Sequence, residues 1–287
     1  MFINEQSLST YNNPTNEAIM IDEYVLGHLE QEQKRLDLQA ALFENETLNT
    51  LKLVGIRPGM RCLDIGCGAG HVSFLISKLV GMEGSVVGLD ADVGMVNLCK
   101  MKAKQTGINN MEFIAADVYN CDLKKESFDL IYSRFLFQHL KEPKKALMKM
   151  KELTTKRGVI VVEEEDMGID MSYPYAHYHE KLRKLYADLL QATGSDPFIG
   201  RKIYSLFLGC GLEPHVGAYA ICLTSRDEPY KKIGILTAQI LKSNLLKYGL
   251  ISETEFEEML NGLQEFQNSP IISGIFSLTF RVWSNKF

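Results

Sequence analysis

The sequence predicts an α/β fold built on a doubly wound, mostly parallel sheet. Two observations carry that prediction. Short apolar runs alternate with helix-period segments between about residues 60 and 162, and the first run closes in a glycine-rich turn, Asp64-Ile65-Gly66-Cys67-Gly68-Ala69-Gly70-His71. Parallel strands covered by helices on both faces read as continuous apolar runs. A chain of 287 residues that is 46% apolar can bury one large core, or a core with a small accessory region.

Residues 1–20 are polar, Asn-rich and interrupted by Pro14, which predicts a mobile arm. From Asp22 to Val54 the pattern is helical, with Leu36, Ala40, Phe43, Thr47 and Leu51 forming one stripe to be buried. Gly55 and Pro58 end that helix. Strands are predicted at Arg61–Ile65, Ser85–Leu89, Met111–Ala115, Phe128–Ser133 and Val159–Val162, with helices at Val72–Val80, Gly94–Thr106 and Lys144–Leu153. After Glu163 the regularity lapses. Helical pattern covers Tyr175–Thr193 and Arg201–Cys210, a strand is expected at Glu213–Thr224, and residues 229–266 read as two helices. Ile271–Trp283 alternates as a final strand, with Phe276, Leu278, Phe280 and Val282 on one face.

The net charge is −5 and the lysines are spread along helix-like stretches such as Lys141–Lys151 without a basic block, so no nucleic-acid partner is expected. The N-terminus lacks a basic-then-apolar signal pattern, and no stretch approaches the ~18 apolar residues of a membrane span. A cytoplasmic protein without a membrane partner is expected. The six cysteines show no metal spacing and read as reduced core thiols, with no metal site.

The glycine turn carries the chemistry. Gly66, Gly68 and Gly70 let the backbone bend and let a ligand approach bare main chain. The helix that follows offers unpaired N–H groups and a positive dipole end to a negatively charged ligand group. Asp90 lies 24 positions past the first glycine, at the end of the next strand, where a carboxylate accepts hydrogen bonds from two ribose hydroxyls. These features point to a nucleoside-containing ligand.

The turn Gly66-Cys67-Gly68-Ala69-Gly70 resembles motif I of the class I S-adenosylmethionine-dependent methyltransferases. A dehydrogenase fingerprint would ask for glycine at position 71, where this chain has His71. Further similar segments follow in order: Asp90-Ala91-Asp92, Ala115-Ala116-Asp117-Val118, Phe128 to Arg134, and Phe137-Gln138-His139-Leu140-Lys141-Glu142-Pro143. Lys156-Arg157-Gly158-Val159 stands where that family commonly has a Pro-Gly-Gly turn before its fifth strand. Tyr24-Val25-Leu26-Gly27 with Glu32, Arg35, Leu36 and Gln39 is similar to the leading helix of a bacterial subgroup of small-molecule methyltransferases. The same subgroup often carries a stretch like Gly194-Ser195-Asp196-Pro197-Phe198-Ile199-Gly200-Arg201. The resemblance covers about residues 22–225. It implies a Rossmann-like, seven-stranded sheet. Residues 1–54 would form an arm and lid helix, and residues 55–287 a methyltransferase domain with helical additions at about 166–200 and 225–268.

The resemblance also implies the cofactor, S-adenosylmethionine, and the residues that hold it. Gly66, Cys67, Gly68 and Gly70 would pack against the ligand. Asp64 would meet its α-ammonium, directly or through water; the alternative is a cap for the turn's N–H groups. Asp90 and Ala91 would hold the ribose, unless Asp90 is simply a solvated carboxylate. Met95 belongs either to an adenine face or to the core. Asp117, with the Val118 N–H, would clamp the adenine, or else cap a helix. Ser133 and Arg134 would close the methionine side, Arg134 otherwise being a surface ion pair. Tyr24, Arg35 and Gln39 would reach the carboxylate end from a lid, where the plainer reading is a solvated, salt-bridged helix face.

Methyl transfer from a sulfonium is an in-line displacement that mainly needs an acceptor atom held ~3–3.5 Å from the methyl carbon, in a dry site. A hydroxyl acceptor would also use a base, and His139 is the first candidate, its alternative being to pack or cap a helix. Glu163-Glu164-Glu165-Asp166 follow the fifth strand, at the edge where ligands bind in open α/β sheets. One or two of them either face an acceptor or share in a solvated charge run. His177 and His179 do not face each other on a helix, so no metal pair is expected. Either one, or Tyr173, Tyr175 and Tyr178, would line an acceptor pocket or belong to the core. The expected function is methyl transfer to a small organic acceptor at O or N, with C also open. The chain lacks the Asn-Pro-Pro-Tyr and Pro-Cys motifs of nucleic-acid base methylases. Two rival classes share the cofactor features: an NAD(P)-dependent oxidoreductase and a non-catalytic cofactor-binding protein. Oligomeric state is open, and exchange of the lid helix would be compatible with a homodimer.

Overall fold

A computed structural model of the chain describes residues 30–169 and 171–286, with only the backbone described at Ile275. The expected arm at residues 1–20 and the site candidate Tyr24 lie outside the described residues. Helix α1 (Glu30–Leu53) precedes the alternating core of β1 (Arg61–Ile65), α2 (His71–Val80), β2 (Ser85–Asp90), α3 (Val93–Thr106), β3 (Met111–Ala115), β4 (Phe128–Arg134), α4 (Pro143–Leu153) and β5 (Thr154–Glu165). Then come β6 (Met171–Tyr173), α5 (His177–Ala192), α6 (Ile203–Gly209), β7 (His215–Thr224), α7 (Lys232–Lys247), α8 (Glu253–Asn268) and β8 (Ser273–Asn285).

The sheet runs β3-β2-β1-β4-β5-β8, with β7 on the far side of β8. Strands β1 to β5 pair in parallel, while β8 is antiparallel to both β5 and β7. These are the seven strands the sequence predicts. An eighth, β6, was not anticipated. Strand β8 outruns β5, which pairs with it only from Thr279 onward, and β6 bonds to the Ser273–Ile275 edge left over. Open backbone groups at such an edge need partners, and three residues suffice here.

Strand β5 also begins earlier than expected, at Thr154, so Lys156-Arg157-Gly158 lies inside it and not in a preceding turn. The pairing with β4 slips between Phe128 and Leu130, and a Cβ on Gly158 would sit 2.8 Å from the Phe128 carbonyl oxygen. The glycine permits that close backbone approach.

Alternation within each strand sends residues to two covered faces. On one face Cys62, Leu130, Tyr132 and Val161 pack against Leu51 of α1 and against Val72, Ile76 and Val80 of α2. On the other, Leu63, Ile65, Ile131, Ile160 and Val162 meet Leu147 and Met150 of α4 and Ile203 and Phe207 of α6. Helices α5, α7 and α8 share a separate apolar core of Leu185, Leu189, Leu241, Leu245, Phe256 and Met259, among others. This helical layer stands beside the carboxyl edge of the sheet, and α1 packs against α7. Five cysteines are buried free thiols, and the sixth, Cys222, is exposed.

Candidate functional site

The turn after β1 adopts a conformation that its glycines make possible. Gly66, Gly68 and Gly70 have φ of 72°, 49° and 82°, where a side chain is strained. A Cβ on Gly70 would lie 2.9 Å from Cys99 Sγ, and one on Gly66 would meet Leu136 at 3.1 Å. The turn is fastened from below: Gly66 N–H and Cys67 N–H both donate to the Leu89 carbonyl. Helix α2 then begins at His71 with no side-chain cap, which leaves its first N–H groups available.

Two carboxylates flank the turn. Asp90 accepts Gly68 N–H at 2.7 Å on one oxygen and Asp92 N–H at 2.9 Å on the other. Each oxygen keeps a further lone pair for a ligand hydroxyl. Burial raises its pKa, opposed by those backbone donors. Asp64 is buried, accepts the Ser73 hydroxyl at 2.6 Å and is also met by the Ser73 backbone N–H in the first turn of α2. Burial pushes its carboxyl up to about 6, against the pull of Ser73 and the Arg134 charge. Asp117 accepts the Tyr119 N–H at 2.8 Å in a local turn beside buried Val118. Met95 is half-buried in the first turn of α3, and Ala91 is exposed.

The fourth-strand end is shaped by Phe135, a non-glycine residue at φ 57° whose N–H donates to the Glu163 carbonyl. Such a conformation is uncommon and concentrates at functional sites. It carries the chain round so that Leu136 lies over Gly66. Two buried polar atoms here have no hydrogen-bond partner among the described residues: Ser133 Oγ and Gln138 Oε1. Orphaned buried groups are rare, and at a ligand site they are the atoms a ligand would satisfy. Ser133 was expected from the sequence. Gln138 was not singled out, although it lies inside a recognised stretch.

Helix α1 lies across this turn. Leu36 Cδ1 is 4.0 Å from where a Gly68 Cβ would be, Asp37 meets His71 Nε2 at 2.7 Å, and Arg134 donates to Thr47 Oγ1 at 2.6 Å. Arg134 is therefore tied to the helix, with its guanidinium also over the rings of Phe43 and Phe135. Glu32 and Arg35 do not form the solvated face that the plainer reading expected. Both are buried, with Arg35 donating to Glu32 at 2.7 and 2.8 Å and to Gln39 at 2.8 Å. The charges stay inside because the α5–α7–α8 layer covers that face, and mutual pairing compensates their desolvation.

In the run 163–166, Glu163, Glu164 and Asp166 are buried and Glu165 half-buried where solvation was the plainer expectation, because each acid finds a partner far away in sequence. Glu163 accepts Thr50 Oγ1 at 2.5 Å and the Tyr132 hydroxyl, on the α1 side. Glu164 points the other way and accepts Phe137 N–H at 2.6 Å and Gln138 N–H at 3.4 Å, and burial pushes it up to about 8. Asp166 holds Arg201 through two bonds of 2.5 Å. Arg201 belongs to the Gly194–Arg201 stretch, which thus latches the loop after α5 to the end of β5. A Cβ on Gly200 would press on the Glu164 and Glu165 carbonyls at 2.9 and 2.8 Å.

Glu165 alone of the run lines a cavity of about 150 Å³. The other walls are Arg35 and Gln39 of α1, His179, Leu182, Arg183 and Tyr186 of α5, Leu223 of β7, and residues of α7, α8 and β8. The α5 residues fall at i, i+3, i+4 and i+7, a single helix face that the sequence could have disclosed. His179 is thus on the cavity as one of the expected options, and burial lowers its pKa to about 4. His177 instead packs on Tyr175 and Tyr178. The tyrosines offered for the pocket do not line it: Tyr173 and Tyr175 are exposed, and Tyr178 lies on Gly262 with its hydroxyl on Glu258. Tyr173 and Tyr175 precede α5 and Tyr178, in its first turn, faces α8, whereas Tyr186, about two turns further on, lines the cavity. His139 ends a 3-10 turn, Phe137–His139, whose N-terminus is held by Glu164. Burial, and then the Arg35 charge, lower its pKa to about 4, so its imidazole is neutral at physiological pH.

A family model described as a methyltransferase domain matches residues 56–205. An uncharacterized methyltransferase of Schizosaccharomyces pombe is 27% identical over 164 residues, covering 55% of this chain and 58% of that one. A demethylmenaquinone methyltransferase of Oceanobacillus iheyensis is 25% identical over 178 residues, covering 58% and 74% respectively. The match thus spans little more than half of the fission-yeast relative's own length. Among solved structures, the YcgJ protein of Bacillus subtilis has a TM-score of 0.58 at 18% identity, over 85% of this chain and 98% of that one, a likeness of fold.

Proposed function

The chain belongs to the methyltransferase-domain family with the class I, S-adenosylmethionine-dependent fold, and we propose that it transfers the methyl group of S-adenosylmethionine to a small organic acceptor at oxygen, nitrogen or carbon. The observation that carries this reading is the double duty of α1. Leu36 and Asp37 meet the glycine turn and His71, while Arg35 and Gln39, on the same two turns of helix, line the cavity beside Glu165. A donor site and an acceptor cavity that share one wall are what a direct transfer requires.

The residues present fit the cofactor. The positive-φ glycines offer bare backbone, Asp90 keeps lone pairs for ribose hydroxyls, and the unpartnered Ser133 Oγ and Gln138 Oε1 suit the amino-acid end. Bound there, S-adenosylmethionine supplies an electrophilic methyl group on a sulfonium. Asp64 and Arg134 supply charge of both signs beside the amino-acid end, while Asp117 and the Val118 N–H read the adenine edge. Arg35 and Gln39, on the wall that α1 shares with the cavity, stand towards the carboxylate end, and Cys67, Ala91 and Met95 pack against the ligand. His139 has its pKa lowered to about 4 by burial, so its imidazole is neutral and, as a general base towards an acceptor hydroxyl, weak. The name of a Shewanella relative, a ubiquinone/menaquinone biosynthesis C-methyltransferase 30% identical over 48% of this chain and 52% of that one, supports keeping carbon among the acceptor atoms.

Calorimetry with S-adenosylhomocysteine, paired with transfer of labelled methyl into a metabolite extract, tests this reading. Tight NAD(P)H binding without S-adenosylhomocysteine binding would sink it. Cofactor binding without any labelled product would leave a non-catalytic binding protein.

A further inference from the structure

Resting on the methyl-transfer reading, we infer that the acceptor is an uncharged, largely apolar molecule bearing hydroxyl groups, and that the cavity beside Glu165 disfavours carboxylates and phosphate esters. The walls set the apolar part. Leu182, Tyr186, Leu223, Phe266, Ile272 and Phe276 surround the space, whose volume of about 150 Å³ is on the scale of an apolar cavity that takes up a benzene ring.

Charge bookkeeping excludes an anion. Three cationic side chains line the cavity: Arg35, Arg183 and Lys231. Each already has a carboxylate. Arg35 holds Glu32 at 2.7 Å, Arg183 holds Glu165 at 3.1 Å, and Lys231 holds Glu228 at 3.0 Å. His179 is neutral, with its pKa lowered to about 4 by burial. An entering carboxylate or phosphate would lose its water, gain no unneutralised cation, and come to lie beside Glu165. Desolvation without a new partner makes that unfavourable.

Two groups on the same walls define the polar part. Arg183 Nε–H and Gln267 Oε1 are buried and have no hydrogen-bond partner among the described residues. The rest of the Arg183 guanidinium is fixed by Glu165 and the Phe276 carbonyl at 3.1 and 3.3 Å, so Nε–H stands as a positioned donor. One orphan donates and the other accepts. A hydroxylated ligand offers both a lone pair and an O–H, whereas a carboxylate or phosphate offers only acceptors and would set oxygen against Gln267 Oε1.

Three probes with a common toluene body separate the possibilities: p-cresol, p-toluate and p-tolyl phosphate. Binding to the S-adenosylhomocysteine-loaded protein is measured by ligand-observed NMR at pH 7.5. The expected result is p-cresol binding about tenfold or more tightly than either anion. In Glu165→Gln, with its fold checked by cofactor binding, release of Arg183 should raise p-toluate affinity relative to p-cresol several-fold. Equal or tighter binding of an anionic probe to the unaltered protein overturns the inference, as does absence of binding by all three to the loaded protein. An unchanged ratio in a folded Glu165→Gln protein also overturns it, since charge neutralisation would then not set the preference. Failure to bind S-adenosylhomocysteine counts instead against the methyl-transfer reading.

Discussion

Replacing Glu164 with glutamine should flatten the pH dependence of folding stability between pH 6.5 and 8. The carboxyl is fully buried, and its pKa rises from 4.5 to about 8 because burial outweighs the Phe137 and Gln138 N–H donors. A carboxyl with a higher pKa in the folded chain holds a proton that unfolding releases once the pH exceeds the unfolded value. Its contribution is therefore complete below about 4.5 and is lost as the pH climbs towards about 8. At about 1.4 kcal/mol per unit, the whole loss is at most about 5 kcal/mol, of which about 1.5 falls between pH 6.5 and 8. Other groups leave that window largely clear. Asp64, at about 6, completes most of its loss below it, and His139 and His179, lowered to about 4, gain stability with rising pH mainly below their unfolded value of 6.5. Asp90 and Glu163 are raised too, but they are present in both proteins and cancel in the comparison. Urea unfolding followed by circular dichroism at half-unit steps gives the two slopes. Parallel lines would refute the reasoning, because they would mean that the two N–H donors keep Glu164 ionised.

Further outcomes follow from the site. Asp90→Ala should weaken S-adenosylhomocysteine binding by about tenfold or more in calorimetry, since it removes the proposed ribose acceptor and orphans Gly68 N–H. Gly70→Ala should cost about 1–3 kcal/mol in unfolding experiments, from a left-handed residue at φ 82° and a 2.9 Å approach to Cys99 Sγ. With His139 at about 4, kcat/KM should show no acidic limb near 6.5 from this residue, and a limb there that disappears in His139→Asn would contradict its neutral state.

The core and the cofactor lobe were legible because their signals are local. Strand periodicity gave β1 and β3 to the residue, and the glycine spacing needs only the chain geometry around residues 64–71. The side bearing the cavity was legible only in part. The acids at 163–166 looked like solvent-facing charges, since their partners Thr50, Phe137, Arg183 and Arg201 are brought in by topology and not by spacing. The same holds for Glu32 and Arg35, whose burial depends on a helical layer more than a hundred residues further along. Strand β6 could not be foreseen, because three residues carry no periodicity.

Helix α1 is secured unevenly, and that unevenness has a measurable consequence. Its C-terminal half buries Phe43, Thr47, Thr50 and Leu51 against the sheet, contacts that together amount to several kcal/mol. Its N-terminal half is flanked by two open cavities of about 620 and 420 Å³, one towards α7 and one towards α2 and α3. There the helix packs on α7 with Glu32 and Arg35 buried beside it, and its polar tie to the glycine turn is the partly exposed Asp37–His71 pair. An exposed pair contributes at most about 1 kcal/mol. The first turns should therefore open locally far more often than the last, swinging Leu36 away from Gly68 while Leu51 stays packed. Hydrogen exchange should show amides of residues 34–41 exchanging much faster than those of 47–53. Saturating S-adenosylhomocysteine should slow the first group selectively, since Leu36, Asp37 and their neighbours then close over an occupied turn. Uniform protection along the helix without ligand, or no ligand effect on its first turns, would show that α1 is a fixed wall and that access to the glycine turn lies elsewhere.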